Sequence, residues 1–255
     1  MRPGLPSAFR TTPLAHRGYH DAAQGRVENS AAAVQAAVAA GYGIEIDLQL
    51  SADGVAMVFH DDTLDRLTTA TGAVTVRTAA ELGAMTLTGS TETIPTLPQV
   101  LSLIAGRVPL LIEIKDQSLA LSLTDGRLEA AAAAALQGYA GPVALMSFNP
   151  ACIAHLVRLA PSLPRGLTTC AFDPADWAPA DTATCDRLRG IPDYDPLGCS
   201  FISHDAADLH RPRVADLAAQ GAAILCWTIR SAAAETAARA TAHTITFEGY
   251  AAAVA

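Results

Sequence analysis

Strand-like and helix-like segments alternate along almost the whole chain, and no other sequence feature narrows the fold as much. Strands are expected over residues 13–16, 43–50, 109–114, 142–146, 163–169, 199–203, 223–229 and 243–247. Between them, helices are expected over 31–40, from Thr96 to about 105, and over 126–138, 150–160, 213–220 and 231–240. Asn29-Ser30 can cap the first of these helices and Gly41 can stop it. Such alternation is the pattern of parallel strands joined by helical crossovers. Eight strand–helix units favour a closed (β/α)8 barrel, and no G-x-G-x-x-G follows the first strand to suggest a dinucleotide fold. At 255 residues the chain has the length of one such barrel. The rhythm breaks at about 51–98, with a turn at Asp53-Gly54, a strand over 55–59, the polar run DDTLDRLTTATGAV and a short helix near 79–83. We read this stretch as a small insertion after the second strand, within a single domain of residues 1–255. Residues 171–198 form a long Asp- and Pro-rich connection with no clear periodicity, to which no role is assigned.

Composition excludes several classes of function. The hydrophobic fraction of 51% and mean hydropathy of +0.26 are inflated by alanine, which favours helix and buries little area. No apolar run approaches the ~18 residues of a membrane span, so stable membrane insertion is not expected. The opening MRPGLPSAFRTTPLAHRG lacks the apolar stretch of a secretory signal, which makes a cytoplasmic enzyme the expectation. With 25 acidic and 17 basic residues, a net charge of −8 and no Lys/Arg stripe, a nucleic acid partner is disfavoured. Cys152, Cys170, Cys185, Cys199 and Cys226 are odd in number and form no C-x-x-C pair, so they read as reduced thiols.

The chemistry concentrates in Gly41 to Asp61, GYGIEIDLQLSADGVAMVFHD. On a strand, residues i and i+2 share a face, so Glu45 and Asp47 stand side by side while Ile44, Ile46, Leu48 and Leu50 face the other way. A solvated face would explain this pair alone. However, LLIEIKD repeats the device with Glu113 and Lys115, and a nearby apolar strand ends in His60-Asp61. In a barrel, His16-Arg17, Glu45, Asp47, His60, Glu113 and Lys115 can all converge at the C-terminal ends of the strands. Three carboxylates without a cysteine make a hard, oxygen-rich site suited to one divalent cation, Mg²⁺ or Ca²⁺. His16 and His60 suit the giving and taking of a proton, and Arg17 and Lys115 would neutralise an anionic group beside the metal. Together these residues describe hydrolysis of a phosphodiester, with the acid and base roles of the two histidines left open.

Ala15-His16-Arg17-Gly18, Glu28-Asn29-Ser30, Gly43-Ile44-Glu45-Ile46-Asp47, Asp53-Gly54 before His60-Asp61, Ile112-Glu113-Ile114-Lys115, Ser147-Phe148 and Cys226-Trp227-Thr228 occur in that order. This set, spread over residues 13–247, resembles the signature segments of the glycerophosphodiester phosphodiesterases. The resemblance implies a TIM barrel with a small insertion after the second strand. It also implies metal-dependent cleavage of small glycerophosphodiesters to sn-glycerol 3-phosphate and an alcohol. Glu45, Asp47 and Glu113 would bind the metal, His16 and His60 would be the acid/base pair, and Arg17 and Lys115 would contact phosphate. Glu28 would orient Arg17 or assist the metal site. Trp227, by itself a core residue as readily as any, would form a wall for the glycerol moiety. Asp61 either orients His60 or caps the insertion. The last strand ends Thr246-Phe247-Glu248 where members often end in Thr-Asp, a departure expected to affect the barrel rim and the alcohol preference.

Rival readings keep the barrel but change its substrate or its activity. They are a lysophospholipase D, a sugar phosphodiesterase, and a non-catalytic barrel that binds phosphorylated ligands. His204-Asp205 is left as a loop pair as readily as a site pair, Phe148 as core or pocket wall, and His20, His155, His210 and His243 as surface residues.

Overall fold

The computed structural model describes residues 2–254. A short helix α1 (Ala8–Thr11) precedes β1 (Leu14–Ala15), α2 (Ala31–Ala40) and β2 (Gly43–Leu50). The chain then forms β3 (Ala56–Val58), α3 (Ala79–Gly83) and α4 (Leu97–Ile104). Regular alternation follows in β4 (Leu110–Ile114), α5 (Arg127–Ala135), β5 (Val143–Ser147), α6 (Pro150–Leu159), β6 (Arg165–Thr169) and α7 (Thr182–Arg189). It closes with β7 (Phe201–Asp205), α8 (Pro212–Ala219), β8 (Ala223–Ile229), α9 (Ala232–Ala238) and β9 (Thr244–Phe247).

Eight strands pair in parallel in the order β1, β9, β8, β7, β6, β5, β4, β2, and β1 pairs with β2 to close the ring. This is the TIM barrel expected from the alternation. The ninth strand, β3, lies outside the ring and runs antiparallel to the upper half of β2, with Leu48 opposite Val58 and Leu50 opposite Ala56. It can do so because β1 is only two residues long and stops opposite Ile44, leaving that edge of β2 open above.

Side-chain alternation sorts the core into two shells. Ile44, Ile46, Leu48 and Leu50 point outward and pack with Val34, Ala37, Val100 and Ile104 of the covering helices. Inside, the lower barrel is filled by Leu14, Leu111, Ala144, Met146, Phe201, Ala223 and Leu225, and Phe9 of α1 plugs the bottom. Gly166 is required there, since a Cβ would sit 2.5 Å from the Phe201 ring. The stretch between β2 and α4 has its own cluster of Met57, Phe59, Leu64, Val74, Leu82, Leu87 and Ile94, which anchors the polar loop after His60.

Sequence and structure differ at short or aperiodic elements. The expected strand 13–16 shrinks to two residues, and α1 and α7 form where no periodicity announces them. Helix α7 is capped by Asp181, whose side chain accepts a hydrogen bond from the Thr184 N–H, but it buries only Cys185 and Leu188. All five cysteines are buried and unpaired, and burial pushes the Cys170 thiol up to about 11. Among the described residues no helix is long and apolar enough to cross a membrane.

Candidate active site

Above the apolar plug, the inward positions of β2 and β4 turn polar. The backbone register sets Asp47 opposite Glu113, and Glu45 is one pleat below Asp47 on the same face. Glu45, Asp47 and Glu113 are buried, and each places a carboxylate oxygen within 4.8 Å of the others. The Lys115 ammonium bridges two of them, 2.8 Å from Asp47 Oδ1 and 2.6 Å from Glu113 Oε1. Burial opposes ionisation of Asp47, but Lys115, His60 and Arg17 outweigh it and hold this carboxyl well below the usual range. Glu45 behaves in the opposite way. Burial, reinforced by Asp47 and Glu113, pushes its carboxyl well above its ordinary value despite a 3.0 Å hydrogen bond from the Arg17 N–H. A buried all-oxygen cluster with one carboxylate short of positive charge fits a hard divalent cation.

The two histidines border the same cavity of about 160 Å³, together with Arg17, the three carboxylates, Lys115, Phe148 and Trp227. Each is anchored through Nδ1 to a carboxylate that is itself held by an arginine. His16 Nδ1 lies 2.5 Å from Glu248 Oε2, and Arg230 donates to Glu248 Oε1 at 2.8 Å. His60 Nδ1 lies 2.7 Å from Asp61 Oδ1, and Arg66 donates to Asp61 Oδ2 at 2.7 Å. With Nδ1 committed, Nε2 of each ring is the nitrogen left for a reacting group. Burial lowers the His16 pKa, and Arg17 adds to this against the opposing pull of Glu248. The departure from Thr-Asp at the end of β9 therefore places a carboxylate against His16 at the barrel mouth.

Arg17 sits in a strained turn (φ 53°) that Gly18 completes (φ 79°). A Cβ on Gly18 would lie 2.9 Å from Ala33, so only glycine lets α2 come this close. Arg17 donates to Glu28 at 2.7 Å, and its Nε is 3.5 Å from Asp47 Oδ2. Sequence reasoning misses four neighbours. Asn29 donates to Asp47 at 2.9 Å, leaving Ser30 as the helix cap. Arg66 forks onto Glu28 at 2.9 and 2.7 Å as well as onto Asp61. It thus ties the holder of Arg17 to the holder of His60. His20, read from the sequence as a surface residue, approaches Glu248 at 3.5 Å. Trp177, from the unassigned connection, packs on Phe148 with ring centroids 4.8 Å apart. His204 is buried in the core with Nδ1 2.7 Å from the Thr169 hydroxyl, outside the site.

Because the Arg66 side chain is half-exposed and its ion pairs lie at the surface, Arg66→Ala is expected to leave the melting temperature nearly unchanged while lowering turnover about tenfold through looser His60 and Arg17. Thermal melts and initial rates on the same preparation check it, and unaltered turnover would remove Arg66 from this role.

Comparison with known proteins gives the chain its relatives. The family model for the glycerophosphoryl diester phosphodiesterase family matches residues 16–246. A glycerophosphodiester phosphodiesterase from Caldanaerobacter subterraneus is 35% identical over 168 residues, 62% of this chain and 67% of that protein. Bovine glycerophosphodiester phosphodiesterase 1 is 46% identical over 65 residues, which cover 25% of this chain and only 18% of the bovine protein. The solved structure of an Oleispira antarctica phosphodiesterase in complex with the product sn-glycerol-3-phosphate superposes with a TM-score of 0.75 at 25% identity, covering 92% of each chain. With its family model matched from the first histidine to the last strand, this chain belongs to the glycerophosphoryl diester phosphodiesterase family.

Proposed function

We propose that the chain hydrolyses glycerophosphodiesters to sn-glycerol 3-phosphate and an alcohol, aided by one divalent cation, Mg²⁺ or Ca²⁺. The observation that carries this reading is the pair of carboxylate-anchored imidazoles bordering one cavity with three clustered carboxylates. In this reading one barrel domain spans the chain, and the insertion at 51–98 serves to deliver His60. Glu45, Asp47 and Glu113 would hold the cation, which supplies Lewis-acid polarisation of a phosphoryl oxygen. Arg17 and Lys115 neutralise the remaining phosphate charge. One histidine accepts the proton of the attacking hydroxyl at Nε2, and the other delivers a proton to the departing alkoxide. Glu248 and Asp61 keep those nitrogens pointed at the phosphate, and Trp227, fixed by its N–H to the Ser203 carbonyl at 3.0 Å, flanks the glycerol. The Oleispira relative, which holds sn-glycerol-3-phosphate, supports the acid half of the product pair.

The alcohol half is read from a second cavity of about 670 Å³ that shares His60, Glu113, Lys115 and Phe148 with the first. Its wall adds Trp177 and Leu121 to Phe148, and Asp62, Asp116 and Asp176 line it against the single cation of Lys115. Aromatic faces beside carboxylates recognise a cationic alcohol such as choline or ethanolamine. The test is release of glycerol 3-phosphate from glycerophosphocholine, glycerophosphoethanolamine and glycerophosphoglycerol, with EDTA, Mg²⁺ or Ca²⁺. EDTA is expected to stop the reaction, and the cationic esters are expected to lead the neutral one by about 1–2 kcal/mol, roughly five- to thirtyfold in kcat/KM. Trp177→Ala should erase most of that lead. No product from folded protein with any ester would overturn the hydrolase reading, whereas equal rates for all three would overturn the alcohol preference alone.

A further inference from the structure

We propose that His16, His20 and Glu248 form a second metal site, selective for Zn²⁺, and that filling it withdraws His16 from proton transfer. The three side chains bring ligand atoms within 4.8 Å of one another, separate from the carboxylate cluster. Glu248 Oε2 is the hub, 2.5 Å from His16 Nδ1 and 3.5 Å from His20 Nε2. Two further observations point to a ligand. His20 Nε2 is buried and has no hydrogen-bond partner among the described residues, so a polar atom is aimed at the hub without a bond to satisfy it. Glu248 Oε1 is taken by Arg230, which fixes the carboxylate and leaves Oε2 for the ion.

Local backbone explains how the pair of histidines arises. Arg17 and Gly18 both adopt positive φ, and the turn they make folds residues 16–20 back so that His20 meets the side chain leaving β9. The donor chemistry separates the two sites. Two imidazoles and one carboxylate are a zinc set, whereas the three carboxylates across the ring suit Mg²⁺ or Ca²⁺. The sites face opposite nitrogens of one ring, since His16 Nε2 is 4.0 Å from Glu45 Oε2. Arg230 and Arg17 oppose the extra positive charge and keep the affinity moderate.

The inhibitory consequence follows from the proton. In the metal-free ring the proton is on Nδ1, donated to Glu248, and Nε2 carries the lone pair. When the Nδ1 lone pair forms the Zn–N bond, the ring keeps one proton but on Nε2. That nitrogen can then neither accept a proton nor readily surrender one. This half of the proposal rests on the hydrolase reading, while the binding half does not.

The experiment uses full-length protein stripped with a chelator and then saturated with Mg²⁺, titrated with Zn²⁺ against a chromophoric zinc chelator. The wild type is expected to bind one Zn²⁺ and to lose activity in step with it. His20→Ala and the bulkier His20→Gln are expected to keep zinc-free activity and folding, to bind Zn²⁺ about tenfold or more weakly, and to need correspondingly more Zn²⁺ for inhibition. Equal zinc affinity in wild type and both variants, or no zinc binding in any of them, overturns the site. A difference in binding without hydrolysis in any form keeps the site and overturns the hydrolase reading instead.

Discussion

Replacing His60 with alanine is expected to lower kcat by about 10²–10⁴-fold with little change in stability, and replacing His16 to do the same. The structure explains why folding should survive. Removing His60 leaves Asp61 still forked by Arg66, and removing His16 leaves Glu248 still paired with Arg230. Neither change strands a buried charge, which is the usual route to a severe loss of stability. In the proposed mechanism both rings act on one proton-transfer cycle, so the double variant should be little worse than either single one. Rates of glycerol 3-phosphate release, read beside circular-dichroism melts, decide the matter. Near wild-type turnover in both single variants would sink the two-histidine mechanism.

Lys115→Met is expected to make folding depend on divalent cation. Lys115 is 14% exposed at its side chain and carries the main neutralising charge for Asp47 and Glu113. Burial disfavours its ammonium, yet those two carboxylates outweigh burial and raise its pKa. Removing one partner from a buried ionic cluster costs about 3 kcal/mol, which in a chain of this size is a drop of roughly 6–12 °C in melting temperature. In EDTA the variant should show that full drop, and saturating Ca²⁺ or Mg²⁺ should restore much of it by supplying positive charge to the same oxygens. Melting of the variant at the wild-type temperature in EDTA would show that Lys115 does not neutralise the cluster.

What is legible in the sequence lies on strands. Glu45 and Asp47, and then Glu113 and Lys115, can be placed on one face because a strand repeats every two residues, and that periodicity needs no knowledge of the loops. Arg66 and Glu28 are 38 residues apart on aperiodic segments, so nothing local announces their fork. Asn29 reads as a helix cap because Ser30 beside it is one, and its left-handed backbone (φ 59°), which accompanies the contact with Asp47, carries no sequence signal. Trp177 sits in a connection held by packing on Phe148 and Phe172, and contacts of that kind leave no repeat to read. Glu248 stands out in the sequence only as a departure from a familiar ending. Its contact with His16 joins residues 232 apart, so nothing local announces it.

Strand β2 serves as a ruler for the whole candidate site. It bears Glu45 and Asp47, it sets β1 through the pairing of Leu14 with Gly43, and it sets β3 through the pairing of Leu48 with Val58. His16 follows directly on β1, and His60 follows β3 after Phe59, whose N–H donates to the Asp47 carbonyl at 3.0 Å. Tolerance to insertion and deletion should therefore be very uneven along the chain. Lengthening the connection that carries Trp177 would leave the spacing between histidines and carboxylates intact, whereas lengthening the loop after Asp61 would pull Arg66 off Asp61 and Glu28. One residue added to the hairpin at 51–55 would slip β3 along the ruler and turn its side chains to the opposite face.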